Sequence, residues 1–157
     1  MISFRQDLEQ EPIGNLSLRD AIVVSPYSLI RAAVALMREH ALGCAVIVEH
    51  DLIPIGLFTE QSLIEVLIQG ASLDDRPVRT FADPNFMAFP ASDPISKVWD
   101  AIQAKGLRFA CVTDDDGRLI GVTGQRGVAE YIADYFSQQV TVQRLGSTPW
   151  MQQREGA

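Results

Sequence analysis

Two cysteines in 157 residues are too few for a disulfide scaffold. Cys44 and Cys111 both sit inside apolar runs, with no CxxC or Cys/His spacing that would suggest a metal, so they read as small buried hydrophobes. Histidine is as scarce: His40 and His50 have no nucleophile, base and oxyanion arrangement around them, which argues against an enzyme. No apolar run reaches the ~20 residues needed to span a bilayer; the longest windows are broken by Arg31, Arg38 or Pro54. The segment from Met1 to Glu11 has no apolar stretch of signal-peptide type, so a cytoplasmic location is expected. Basic residues are outnumbered, 13 against 20, for a net charge of −7. With the arginines dispersed, that field repels polyanions and excludes nucleic acid as the expected partner.

What is present is an apolar fraction of 47%, enough to fill a core, and an internal repeat. Shifted by 65 positions, the sequence aligns on itself without a gap from about Ser25 to Leu67: Ile30 falls on Ile95, Leu42 on Leu107, Ala45 on Ala110, Gly56 on Gly121 and Glu65 on Glu130.

Each copy reads as βαββα. Short strands are expected at Ile22–Val24 and Met87–Phe89. A helix with Ile30, Ala33, Val34, Met37 and Ala41 on one face follows, with Ser28 as its N-cap. Its counterpart has Asp93 as cap, Pro94 in the first helical position and Gly106 at the end. Strands are then expected at Cys44–Val48 and Ile53–Phe58, and at Phe109–Thr113 and Leu119–Thr123. The turns between them are Glu49–Asp51 and Asp114–Gly117, the latter a hairpin signal. Closing helices are expected over Gln61–Gln69 and Gln125–Phe136. The expected fold class is α/β (α+β), two βαββα repeats related by a pseudo-twofold axis, because one unit leaves a sheet face bare. The expected division is an extension (1–15), repeat 1 (16–70), a linker (71–77), repeat 2 (78–136) and a tail (137–157). In that tail Val140, Val142 and Leu145 alternate weakly, and Trp150 is unusual.

This plan, with Gly-apolar-apolar-Thr leading into the last helix, resembles the cystathionine-β-synthase (CBS) domain in tandem. The telling segments are Met37 to Val48 and Gly56-Leu57-Phe58-Thr59-Glu60, and the resemblance spans about Leu16 to Phe136. It implies a regulatory module that senses AMP, ADP, ATP or S-adenosylmethionine between the repeats, and a disc-like homodimer. No cofactor is implied beyond that regulatory adenine nucleotide, and the regulated protein is unknown. The alternative is a ligand-free dimerisation or partner-binding scaffold.

The signature of that family is Gly-x-x-Thr/Ser-x-x-Asp at the start of the closing helix. The hydroxyl residue caps the helix, the helix start favours a phosphate, and the carboxylate takes the ribose hydroxyls. Copy one supplies Gly56, Thr59 and Ser62; copy two supplies Gly121, Gly124 and Gly127, without hydroxyl or carboxylate. Repeat 1 is therefore expected to carry binding, and Gly124→Thr to leave affinity unchanged. The resemblance further implies Arg108, just before its strand, as a phosphate contact, and adenine lying against Val24, Ser25, Pro26, Cys44 and Ala45; Arg126, in the first turn of the second closing helix, is a residue that can face an anion. Each also has a plainer reading: Thr59 as a helix cap only, Arg108 as a snorkelling side chain at a strand entrance, Arg126 as a solvated surface residue, and the others as core and turn.

Overall fold

The computed structural model of the protein describes residues 3–145. A short helix α1 (Phe4–Gln10) precedes two equivalent units. The first contains β1 (Val23–Val24), α2 (Ile30–Glu39), β2 (Cys44–Val48), β3 (Pro54–Thr59) and α3 (Glu60–Ile68). The second contains β4 (Ala88–Pro90), α4 (Ile95–Lys105), β5 (Phe109–Thr113), β6 (Leu119–Gly124) and α5 (Gln125–Leu145). Each forms a three-stranded sheet, β1-β2-β3 and β4-β5-β6, with the first pair parallel and the second antiparallel. The 65-residue offset holds at the level of strand register. Cys44 opposes Thr59 as Phe109 opposes Gly124, and an irregularity follows Ile47 as one follows Val112.

The two repeats exchange the segments that lead into them. The Ile13 amide donates to the Asp93 carbonyl and the Val78 amide to the Ser28 carbonyl, both at 2.8 Å. The Ile95 amide donates to the Glu11 carbonyl (2.8 Å) and the Ile30 amide to the Arg76 carbonyl (3.0 Å). Further on, Arg19 exchanges two 2.9 Å bonds with Val122, while the Asp83 amide donates to the Leu57 carbonyl at 2.7 Å. The first four bonds form two pairs 65 positions apart, which is the pseudo-twofold relation expressed in the backbone; the last contacts depart from it by one residue, because Pro84, the counterpart of Arg19, has no N–H to donate. The relation extends the repeat upstream of Ser25, to Ile13 and Val78, both fully buried.

The exchange explains a correction. Neither Ser28 nor Asp93 caps its helix. The N-caps are Leu29 and Pro94, neither making a side-chain cap bond, because the exchanged segment supplies carbonyls to the first helical amides. Ser28 Oγ instead accepts from the Ser25 amide, and the Asp93 carboxylate pairs with Lys97. Gly106 does end α4, in the left-handed region at φ 62°. Its equivalent, Ala41, holds φ 49° with a Cβ, at a cost of about 1 kcal/mol.

Six elements differ in extent from expectation. β1 starts one residue later, β4 lies one residue further along and α3 one residue earlier, β3 and β6 each run one residue further, into the helix starts, and α5 continues to Leu145, well past Phe136. The helix thus runs through Val140, Val142 and Leu145, whose weak alternation in sequence does not announce it. Trp150 lies outside the described residues. Among the described residues no helix is long and apolar enough to cross a membrane.

The extension is not idle. α1, closed by a Ser3–Gln6 capping box, places Phe4 against Trp99, Tyr135 and Phe136 with ring centroids 5.1–6.1 Å apart. Asp7 accepts from the Tyr135 hydroxyl, and Arg5 forks onto Asp100. It thus covers the apolar excess of α5. α3 presents a bare apolar row of its own: Ile64, Leu67 and Ile68 are 47%, 61% and 72% exposed.

Because Ile13 belongs by sequence to one repeat and packs in the core of the other, Ile13→Ala should cost about 3 kcal/mol and lower both repeats together. Urea unfolding followed by circular dichroism should remain one transition at a lower midpoint; two separated transitions would show repeats that fold independently.

Candidate functional site

The helix starts of α3 and α5 lie at two pseudo-equivalent hollows between the repeats. At α5 a cavity of about 300 Å³ is lined by Arg19, Arg108, Thr123, Gly124, Arg126 and Gly127, with Ser17, Leu42 and Glu130 among its remaining walls. At α3 two hollows of about 250 and 420 Å³ share Thr59, Gln61 and Asp83. Arg108 lines the smaller of these, while Ser62 and Glu65 line the larger. Each hollow takes its walls from both repeats, because the segment leading into one repeat lies against the last strand of the other.

The α3 start is chemically closed. Thr59, 5% exposed, accepts from the Ser62 amide (3.1 Å), and Ser62 Oγ accepts from the Thr59 amide (3.0 Å). The two hydroxyl oxygens lie 3.2 Å apart. This is a capping box with serine in the role of the more usual Glu or Gln. Both side chains spend hydrogen-bonding capacity on each other and on the helix start.

The α5 start is open. Gly124 offers no capping side chain, and a Cβ there would collide with the Arg108 carbonyl oxygen. The glycine thus permits a close backbone approach, and the Gln125 amide donates to that same carbonyl (3.1 Å). A Cβ on Gly127 would press on Thr123 Oγ1. That hydroxyl is buried and has no hydrogen-bond partner among the described residues.

Charge separates the two hollows more sharply. At α5 three guanidinium groups, of Arg19, Arg108 and Arg126, face one carboxylate, Glu130. The α3 hollows contain Arg108 against Asp83 and Glu65. The arginines are weakly committed. Arg126 Nε lies 3.4 Å from Glu130, Arg108 Nη1 lies 3.8 Å from Glu60, and Arg19 Nη2 reaches the Ala41 carbonyl at 3.4 Å. Exposed ion pairs of this kind contribute about 0–1 kcal/mol, so an incoming anion can displace them. Arg108 also lies over the Phe109 ring, 5.6 Å from its centroid, and that ring packs on Gly43.

Of the residues singled out from the sequence, the hollows gather Thr59, Ser62, Arg108 and Arg126. Val24, Ser25, Pro26, Cys44, Ala45 and Gly56 are not among their linings. Gly56 faces Ile47 and Ala82, on the segment entering repeat 2, while its twin Gly121 approaches Leu18 and the Arg19 carbonyl. The Pro26 carbonyl accepts from the Arg79 amide (3.4 Å). Cys44 and Cys111 are fully buried, and that burial pushes both thiols up to about 12. Arg19, Thr123 and Asp83 were not singled out. Reading the 65-residue offset upstream of Ser25 would have drawn attention to the segment containing Arg19. Among the described residues no cluster of three or more His, Cys, Asp or Glu side chains could hold a metal.

Comparison with known proteins gives a consistent picture. The family model for the CBS domain matches residues 13–69 and again 78–134. An uncharacterized protein from Methanopyrus kandleri is 29% identical over 119 residues, 75% of this chain and 61% of that protein. A GMP reductase from Mycobacterium tuberculosis is 30% identical over 115 residues, 72% of this chain but only 22% of the reductase. The chain therefore spans less than two thirds of either relative. Among solved structures, a CBS domain protein from Pyrobaculum aerophilum complexed with AMP superposes with a TM-score of 0.68 at 20% identity, over 74% of this chain and 88% of that one. The CBS domain pair of protein MJ0100, in complex with 5′-methylthioadenosine and S-adenosyl-L-methionine, superposes with 0.70 at 14% identity, over 79% and 97%.

The expectation for residue 124 concerned affinity, and the structure adds a cost in stability. Gly124→Thr should destabilise the fold by about 2–3 kcal/mol, since the clash is with backbone. Thr59→Gly, the reverse change in the other repeat, should cost only the cap, up to about 1 kcal/mol. Thermal melts of the two variants check the order; equal losses would refute it.

Proposed function

The chain belongs to the CBS domain family, and from that premise we propose that it is a regulatory module, not an enzyme, whose inter-repeat cleft takes an adenosine-type ligand such as AMP, ADP, ATP or S-adenosylmethionine. The observation that carries this reading is the position of Arg108. Its side chain is 60% exposed, and it lines cavities at both helix starts, where helix dipole and guanidinium act together on a phosphate. That relatives of the same fold are complexed with AMP or S-adenosyl-L-methionine supports the ligand class.

The balance between the two ends differs from the expectation that repeat 1 dominates. Thr59 and Ser62 are engaged with one another, and Asp83 and Glu65 oppose a phosphate there. The α5 end has the favourable charge, and we assign the phosphate to it.

A ligand that binds only the folded state raises its melting temperature. ATP, AMP and S-adenosylmethionine at millimolar concentration should each be tried, and at least one should shift the melt. Arg108→Ala should weaken that ligand at least tenfold by calorimetry, the loss of one charge-assisted contact. No shift and no heat with any of the three would refute the sensor reading.

The exposed row Ile64, Leu67 and Ile68, spaced i, i+3, i+4 on α3, favours a second reading that is compatible with the first: a homodimer through that face. The alternative of a ligand-free scaffold would rest on the same surface. Sedimentation equilibrium at micromolar protein should return a dimer mass, and Leu67→Asp should return a monomer that still melts cooperatively. A monomeric wild type would remove the dimer.

A further inference from the structure

The cavity at the start of α5 has features that a sugar-reading site lacks and a charge-reading site needs. Where the family pattern would place a capping hydroxyl and a carboxylate for ribose, this chain has Gly124 and Gly127. With neither side chain present, the helix start is uncapped by residue 124 and the wall beside Thr123 is bare. Thr123 is 6% exposed, lines the cavity, and its Oγ1 is the buried side-chain oxygen without a partner among the described residues. A buried hydroxyl left unpaired costs about 1–3 kcal/mol, a debt that a bound acceptor would relieve. Around it stand Arg19, Arg108 and Arg126, from three separate stretches of chain, their polar contacts long and exposed.

We propose that this cavity takes the oligophosphate end of a nucleotide-type ligand, held by Arg19, Arg108 and Arg126 around the start of α5 and by the Thr123 hydroxyl, with no contact to a ribose diol. This rests on the nucleotide reading above and sharpens it: the site counts phosphate charge and is blind to the 2′ and 3′ hydroxyls. Three guanidinium groups against one carboxylate are more than a monophosphate needs, and a di- or triphosphate satisfies them. The single carboxylate in the lining, Glu130, is already beside Arg126. In the α3 hollows the offset replaces Arg19 by Pro84 and Arg126 by Gln61, which leaves Arg108 as the one cation among the described residues of their linings.

Calorimetry on the full chain, at fixed ionic strength and without divalent cations, tests this with ATP, 2′,3′-dideoxy-ATP, AMP and inorganic tripolyphosphate. ATP should bind at least tenfold more tightly than AMP, and the dideoxy compound within about twofold of ATP. Arg19→Ala and Arg126→Ala should each weaken ATP at least fivefold, about 1 kcal/mol, while Thr59→Val leaves it within twofold. Both arginines are exposed, and an unchanged melting temperature checks that the variants fold. A tenfold loss with the dideoxy compound, AMP matching ATP, or unaffected arginine variants would each overturn the inference while leaving an adenosine sensor standing. Tripolyphosphate binding as tightly as ATP would uphold the charge-reading site and overturn the adenosine reading. Absence of heat with all four would overturn both.

Discussion

The reciprocal exchange of leading segments is the constraint from which the rest of the molecule follows. A βαββα unit of this size has an uncovered sheet face and a first helix whose amides lack partners. Here each deficiency is met by chain belonging to the other copy: Glu11 and Arg76 carbonyls serve Ile95 and Ile30, and Ile13 and Val78 bury themselves one repeat away. Desolvated backbone makes these bonds obligatory. Neither repeat is complete alone, and the cleft between them is shaped by the same segments that close the cores.

That geometry places cavity-lining groups where local sequence gives no hint of them. The cavity at α5 is assembled from the strand–helix junction of repeat 2, the strand entrance at Arg108, and the crossing segment at Arg19. Symmetry of the backbone is not symmetry of chemistry. The same positions in the other hollow are Thr59, Gly43 and Pro84, and the charge balance changes sign with them. A duplicated fold has thereby come to hold two unlike hollows, one closed by hydroxyl capping and one kept open by glycine.

Divergence between copies is visible also in the backbone and the surface. Ala41 and Leu52 hold left-handed conformations that Gly106 and Gly117 hold without a Cβ in repeat 2. The helix α1 covers the aromatic side of α5, whereas α3 leaves Ile64, Leu67 and Ile68 exposed. The first repeat thus has the more strained turns and the open apolar face, and the helix start of the second has the cations, one of them lent by the first.

The sequence by itself determined the duplicated βαββα plan. Alternating and helical periodicities, the Asp-Gly turn, the αL glycine after Lys105 and a constant 65-residue spacing are local signals, and local sterics and burial enforce them without reference to the rest of the chain. Thr59 as a helix cap was legible for the same reason. The exchange of segments was not, since a backbone carbonyl that caps a helix elsewhere has no sequence signature, and so Ser28 and Asp93 were credited with a role that Arg76 and Glu11 fill. Nor could the pattern reveal that Gly124 makes room for the Arg108 carbonyl, or that Arg19 joins Arg126 across the repeat boundary. Those are long-range proximities, and only tertiary packing, which brings residues a hundred positions apart onto one cavity wall, decided where the charge of this protein is gathered.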